Sequence, residues 1–197
     1  SENSPVKPIN PYGYTKLTVE SILRDVFNAS NKKSKFASLR YFNPIGAHRS
    51  GLIGEDHNPE THLIPNILKS TLQNNSNLNV YGNDYSTPDG TCIRDYLHVN
   101  DLSNAHLLGL NQMNNIKGFS SYNLGNGNGF SVLEVIKSCE RVTGSTIKYN
   151  VGPRRVGDPA TLVSDSKKAI KNLDWKPAYT ELDLIIESAW KWHRKTR

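Results

Sequence analysis

Apolar residues recur at intervals of three and four near the start of the chain. Val19, Ile22, Leu23, Val26 and Phe27 form one stripe, which predicts a helix from Pro11 to about Asn28. A polar turn over 28–34 gives way to Phe36–Phe42, an apolar run that reads as a buried strand and ends in the breaker cluster Asn43-Pro44-Ile45-Gly46. A long loop covers Gly46 to Glu60. Leu63, Ile64, Ile67, Leu68 and Leu72 then predict a helix over His62–Gln73, followed by a short strand over Leu78–Tyr81. The turn-rich stretch Gly82–Thr91 has the length of loops that often carry function. An extended segment over Ile93–Val99 contains Arg94. A helix starting at Asn100 or Asp101 reaches about Met113, with Leu102, Ala105 and Leu108 on one side. Ser121–Leu124 and Thr146–Val151 read as strands. Ser131 and Glu134 have capping-box spacing at the start of another helix, and a final helix is predicted from Thr180 to about His193. Strands alternating with helices make this an α/β chain.

The first predicted helix carries the first candidate chemistry. Asn10 suits the capping position and Pro11 the first turn, so Tyr12 and Lys16 leave the same face one turn apart. A phenol is a poor base at neutral pH, and a fixed positive charge beside it favours the phenolate. An isolated Y-x-x-x-K is more often an ordinary surface pair, so the rest of the chain has to decide. In open α/β sheets ligands gather beyond the carboxyl ends of strands. That makes Tyr41, Phe42 and Asn43 either ligand contacts or a core aromatic pair with a turn asparagine. The glycines of Gly125-Asn126-Gly127-Asn128-Gly129 lack G-x-G-x-x-G spacing and read better as a tight turn than as a phosphate cradle. Arg154 and Arg155, in a loop bounded by proline and glycine, are either surface charge or two guanidinium forks suited to a diphosphate.

Composition narrows the picture. The 197 residues fit one sizeable domain or a large and a small lobe. The net charge of +6 can mean nucleic acid, but there is no dense basic block carrying interleaved aromatics, and a smaller anionic ligand held by a few placed arginines fits as well. No apolar run is long enough to span a membrane, and no leader pattern opens the chain. Cys92 and Cys139, far apart in sequence, could form a disulfide, but two free thiols in a reducing cytoplasm are the expected state. The six histidines match no H-E-x-x-H or Cys/His zinc spacing, so no metal site is expected. Ser1 to Asn10 reads as a polar loop entering a helix, as if the chain began partway through a fold.

Taken in order, the motifs resemble the carboxyl-terminal half of the UDP-galactose 4-epimerases, within the extended short-chain dehydrogenase/reductase family. The resemblance rests on Pro11-Tyr12-Gly13-x-x-Lys16, on Leu39-Arg40-Tyr41-Phe42-Asn43-Pro44-x-Gly46-Ala47 and on Gly51-x-x-Gly54-Glu55-Asp56. It continues through the specific stretch from Tyr81-Gly82-Asn83-Asp84-Tyr85 to Arg94-Asp95-Tyr96-x-His98-Val99-x-Asp101-Leu102. It closes with Tyr122-Asn123-Leu124-Gly125 and Pro153-Arg154-Arg155-x-Gly157-Asp158.

The resemblance implies a partial NAD-binding Rossmann fold with a smaller α/β substrate domain. Residues 1–46 would be a remnant of the NAD-binding part. Residues 47–197 would be mainly the UDP-sugar domain, with one or two segments returning to the Rossmann sheet. It implies interconversion of UDP-glucose and UDP-galactose by hydride removal and return at C4, with NAD as cofactor. Tyr12 is implied as the base and Lys16 as the lysine that bonds the nicotinamide ribose, with Tyr41 and Pro44 beside the nicotinamide. Asn43 is implied near the diphosphate, Leu63, Asn79 and Tyr81 around the uracil, and Arg94, Arg155 and Asp158 as the clamp on diphosphate and ribose. His62 stands where many members have asparagine in contact with uridine, and Leu162 stands at the position that gates N-acetylated sugars.

The glycine-rich dinucleotide fingerprint does not occur in these 197 residues. The chain by itself is therefore expected to be inactive and to retain no NAD, with a homodimer or a complementing amino-terminal half as its possible protein partner. A stand-alone, non-catalytic UDP-sugar binding module is the alternative.

Overall fold

A computed structural model of the chain describes residues 1–31, 33–73, 78–116 and 118–195. Asn10 caps helix α1 (Pro11–Ala29), its side chain accepting from the Gly13 amide at 2.8 Å. None of the residues of α1 is buried. Leu17, Glu20, Leu23 and Phe27 are half-buried against the strands below, while Val19, Ile22 and Val26 are exposed. The predicted apolar stripe is thus divided. The Glu20 carboxylate sets the helix rotation by accepting from Arg40 Nε (2.7 Å) and Nη2 (2.5 Å) and from Ser38 Oγ (2.8 Å), both on the first strand.

That strand, β1 (Phe36–Tyr41), pairs in parallel with β5 (Phe119–Leu124), Phe36 opposite Phe119 and Tyr41 opposite Leu124. It is half-buried rather than buried, β5 being its only neighbour among the described residues. Past Phe42 the chain enters β2 (Asn43–Ile45), which pairs in parallel with β4 (Ile93–His98). One run of chain therefore links two sheets at the breaker cluster read in the sequence. The other neighbours of β4 are β6 (Gly129–Ser131), antiparallel, and β8 (Thr161–Leu162), parallel. A third sheet joins β3 (Leu78–Tyr81) to β7 (Tyr149–Gly152) in parallel.

The remaining helices are α2 (Leu63–Leu72), α3 (Val99–Asn111), α4 (Val132–Thr143), α5 (Lys167–Leu173) and α6 (Leu182–Lys195). Ile64, Ile67 and Leu68 of α2, Val135 and Ile136 of α4 and Ile185 and Ile186 of α6 form one core with β3 and β4. Leu97, Ala105, Tyr122, Leu124, Leu173 and Trp175 form a second. Ser131 and Glu134 make the predicted capping box of α4. Several details depart from the sequence reading, among them the strand predicted from Thr146, which runs Tyr149–Gly152, and the short strands β6 and β8, which were not predicted. The last helix begins at Leu182 and not Thr180, and α5 was not legible. The latter is a seven-residue helix whose inward face is only Ala169 and Leu173, too short for a periodic signal, and it ends where Asp174 turns left-handed (φ 53°). No helix among the described residues is long and apolar enough to cross a membrane.

Candidate functional site

A cleft of about 1420 Å³ opens between the two ends of the sequence. Residues from the chain's start (Tyr12, Tyr41, Asn43 and Pro44) line it, and so do residues from its later part (Arg94, Arg155, Asp158 and Leu162). His62, Leu63, Asn79 and Tyr81 line it as well. The fold thus brings twelve of the thirteen sequence-derived site residues to one cavity. Lys16 is the exception. It does not line the cleft but reaches over the Tyr12 ring, with Nζ 4.9 Å from the ring centroid.

Tyr12 and Tyr96 both line the cleft but differ in environment. Tyr12 is 71% exposed, while Tyr96 is buried in the core cluster. Burial pushes the Tyr96 phenol well above its usual pKa and keeps it protonated. The Cys92 thiol in the cleft wall is likewise pushed up by burial and stays a poor nucleophile at neutral pH. Of these three groups Tyr12 is the exposed one, with the Lys16 ammonium over its ring.

Arg94 is held in a definite orientation. Its Nη1 donates to the carbonyls of Ile93 and Pro159, each at 2.8 Å. Its Nη2 lies 3.1 Å from Asp158 Oδ1, yet it is buried without a hydrogen bond of acceptable geometry. The side chain is only 13% exposed. A buried N–H left unsatisfied is costly, and a phosphate oxygen would satisfy it.

The two adjacent arginines divide. Arg155 lies over the Tyr81 ring at 4.1 Å and lines the cleft. Arg154 turns away, its Nε donating to Asp84 Oδ1 at 2.7 Å, its Nη2 to the Asp84 carbonyl, and its guanidinium covering the Tyr85 ring. The pair is therefore not a double fork. The second cleft guanidinium is Arg94, placed beside Leu162 by the β4–β8 register.

The glycine turn after β5 is a tight turn with its own anion. Asp95 is fully buried and accepts from the amides of Asn126 (2.8 Å) and Gly127 (3.1 Å). Ser164 donates to the same carboxylate through its amide (3.0 Å) and hydroxyl (2.6 Å). These amides are consumed internally and offer no cradle to an external phosphate. The Asp95 carbonyl accepts from Asn43 Nδ2 at 2.8 Å, which fixes that cleft residue.

The loop over 82–91 is scaffold: none of its residues lines the cleft. Tyr85 is buried, and Asp89 accepts from the Thr91 amide and hydroxyl and from Ser131 Oγ at the start of α4. The sequence reading missed Glu55 and His57, which line the cleft beside His62. Only the density of Glu and His over 55–62 could have signalled them, because their spacing matches no helical or zinc template. Cys92 and Cys139 are both free.

Comparison with known proteins places these features in context. The model of the NAD dependent epimerase/dehydratase family matches residues 1–125. The chain is 48% identical over 194 residues to the UDP-glucose 4-epimerase of Lactobacillus helveticus, an alignment covering 98% of this chain and 58% of that protein. A crystal structure of UDP-glucose 4-epimerase from Bifidobacterium longum in complex with NAD+ and UDP superimposes with a TM-score of 0.93 at 43% identity. It covers 99% of this chain and 58% of that one. The enzyme from Stenotrophomonas maltophila, with bound NAD and formylated UDP-arabinopyranose, gives 0.92 at 40% identity, again over 99% and 58%. The chain therefore spans a little over half the length of the relatives it matches.

Proposed function

The chain belongs to the NAD dependent epimerase/dehydratase family, and on that footing we propose that it supplies the proton-transfer pair and the UDP-sugar cleft of a UDP-glucose/UDP-galactose 4-epimerase. The observation that carries this reading is Arg94. Arg94 lines the same cleft as Tyr12 and Arg155, and its buried Nη2, paired with Asp158 at 3.1 Å, makes no hydrogen bond.

NAD, when bound, supplies the hydride acceptor and donor at C4 of the hexose. The residues expected beside its nicotinamide are accessible, since Tyr41 and Pro44 line the cleft and Tyr12 is exposed. A pyrophosphate cradle is not offered by the glycine turn, whose amides Asp95 occupies. The residues therefore fit the nicotinamide side of the cofactor. In the proposed reaction the Tyr12 oxygen takes the proton of the 4-hydroxyl and later returns one, with the Lys16 ammonium over its ring. Arg94 and Arg155 hold the diphosphate, Asp158 orients Arg94, and Asn43 is fixed near the diphosphate by its bond to the Asp95 carbonyl. Leu63, Asn79, Tyr81 and His62 are assigned to the uridine, and Leu162 to the sugar's 2-substituent.

In this reading residues 1–46 belong to the NAD-binding part and 47–197 mainly to the substrate domain, with β5 returning to pair with β1. The exposed Val19, Ile22 and Val26 on α1 suit contact with a second copy or a complementing amino-terminal half. A cytoplasmic location accords with two free thiols. The 197 residues alone are expected to retain no NAD and to turn over no substrate. Acid release of nucleotide from the purified chain and an assay on UDP-galactose test this.

The site itself is tested by calorimetric titration with UDP. Arg94→Ala and Arg155→Ala should each weaken binding by roughly 10- to 100-fold, the value of charge-assisted hydrogen bonds of about 1.5–3 kcal/mol. Arg154→Ala, on an exposed pair with Asp84, should bind as wild type. Equal affinity in all four proteins overturns the assignment. UDP binding without turnover, even after an NAD-binding half is supplied, would favour the non-catalytic binding module.

A further inference from the structure

The loop leading into α2 gathers two histidines and two glutamates that the epimerase reading does not use together. Glu55, His57, Glu60 and His62 each turn one donor atom inward, and these atoms all lie within 4.8 Å of one another. His62 Nδ1 is 2.7 Å from Glu55 Oε1 and 3.2 Å from Glu60 Oε1. His57 Nδ1 is 3.1 Å from Glu55 Oε1 and 3.8 Å from Glu60 Oε2. Four donors around a tetrahedral zinc ion, at bonds of about 2.0–2.2 Å, stand roughly 3.3–3.6 Å apart. The separations of the imidazoles from Glu55 Oε1, 2.7 and 3.1 Å, and of His57 from Glu60 Oε2, 3.8 Å, lie on either side of that range.

Glu60 provides an independent observation. Its side chain is 6% exposed. Oε1 is satisfied by the Thr61 and His62 amides, each at 2.9 Å. Oε2 is buried and makes no hydrogen bond. Its neighbours are cationic or ionisable groups at longer range, Lys69 Nζ at 3.5 Å and His57 Nδ1 at 3.8 Å. Glu60 thus brings to the cluster a buried carboxylate oxygen that no hydrogen bond satisfies, and such an oxygen gains from a metal ion among the converging donors. Lys69 does not close the site, because its ammonium also reaches Asp56 Oδ1 (3.5 Å) and the His57 carbonyl (3.4 Å) and can keep those contacts.

We propose that Glu55, His57, Glu60 and His62 form a zinc-binding site that fastens the loop before α2 to the start of that helix. Two imidazoles with two carboxylates suit zinc. They are too few oxygens for calcium and too rich in nitrogen for magnesium. The site is distinct from the proton-transfer pair, and its existence does not depend on the epimerase reading. It departs from the sequence expectation of no metal, which rested on known spacings and not on where this loop folds.

The test is titration of the full 197-residue chain, without a histidine tag, with zinc chloride followed by calorimetry, and with cobalt(II) followed by visible absorption. The expected result is one zinc per chain and a cobalt spectrum of tetrahedral intensity that zinc abolishes. His57→Gln and Glu60→Gln should each weaken zinc binding by at least the roughly 10- to 100-fold that even outer-shell changes cost. His57 is 56% exposed, so its variant should keep the fold and decide the matter even if the Glu60 variant does not. Absence of stoichiometric zinc binding, or zinc affinity unchanged in folded His57→Gln, overturns the proposal.

Discussion

The ammonium of Lys16 lies 4.9 Å from the centroid of the Tyr12 ring, one helical turn away on α1. A cation over an aromatic face is attracted by the ring's quadrupole, and this contact holds the pair together before any ligand arrives. Asn10 and Pro11 start the helix where both side chains leave on one face.

That relationship makes the first prediction. With an amino-terminal half of a related epimerase supplied, Tyr12→Phe should bind UDP-sugar nearly normally while its rate falls by the roughly 10²–10⁴-fold that general acid–base catalysis contributes. Lys16→Met should also lose rate. Steady-state assay on UDP-galactose checks both. A Tyr12→Phe protein that keeps its turnover would show that another group moves the proton.

Leu162 lines the cleft opposite Arg94 in the β4–β8 register and is half-exposed. Replacing it by tyrosine adds bulk without touching Arg94's bonds to the Ile93 and Pro159 carbonyls. In the completed enzyme Leu162→Tyr should lower activity on UDP-N-acetylglucosamine by roughly tenfold or more relative to UDP-galactose. Parallel loss on both substrates would exclude a size gate at this position.

His98 links stability to pH. Its ring is fully buried, stacked on Tyr179 at 3.8 Å. Nδ1 accepts from the Asn100 amide at 3.0 Å as the cap of α3, so the ring is neutral with its proton on Nε2, donated to Ser188 Oγ at 2.9 Å. Burial pulls its pKa below the usual value, against the opposing charge of Asp101. The unfolded chain then takes up a proton near pH 6.5 that the folded chain refuses until lower pH. Stability should be flat above about pH 6.5, fall as pH drops below it, and level off once pH passes the lowered folded value. Urea unfolding at a series of pH values, wild type against His98→Gln, measures the contribution. An identical slope in both proteins would show that other groups carry it.

Glu20 tethers α1. Its carboxyl is held below the usual range chiefly by the hydrogen-bonded Arg40 guanidinium, against the effect of partial burial. Because α1 buries no residue of its own, Glu20→Gln should cost about 1.5–3 kcal/mol locally. Hydrogen exchange should speed up in α1 while the buried core of α4 stays protected. Acid should have a related effect on wild type. The depressed pKa gives stability present above the unfolded value, which is lost as pH falls through the folded one. Unchanged exchange in α1 would assign its docking to Leu23 and Phe27 instead.

The sequence by itself determined everything that depends on neighbours along the chain. Helical periodicity placed α2, α3 and most of α6, and a capping asparagine and a proline placed the start of α1. The Ser131–Glu134 spacing gave its box, and the breaker at Asn43–Gly46 marked where one strand ends and another begins. Long matching motifs also named the cleft residues, because side-chain chemistry in order along a chain is legible without coordinates. Tertiary structure decided what depends on distance between remote segments. Arg154 and Arg155 are adjacent in sequence, but only the fold sends one to Asp84 and the other to the cleft. The glycine turn already read as a tight turn, but only the fold shows that Asp95, thirty-one residues from Asn126, takes its amides. Val19, Ile22 and Val26 shared a stripe with Leu23 and Phe27 until the Glu20–Arg40 bond turned the helix and left them outside. Glu55, His57, Glu60 and His62 lie close in sequence, yet an irregular loop has no period from which convergence could be read. Only folding aims their donor atoms at one point.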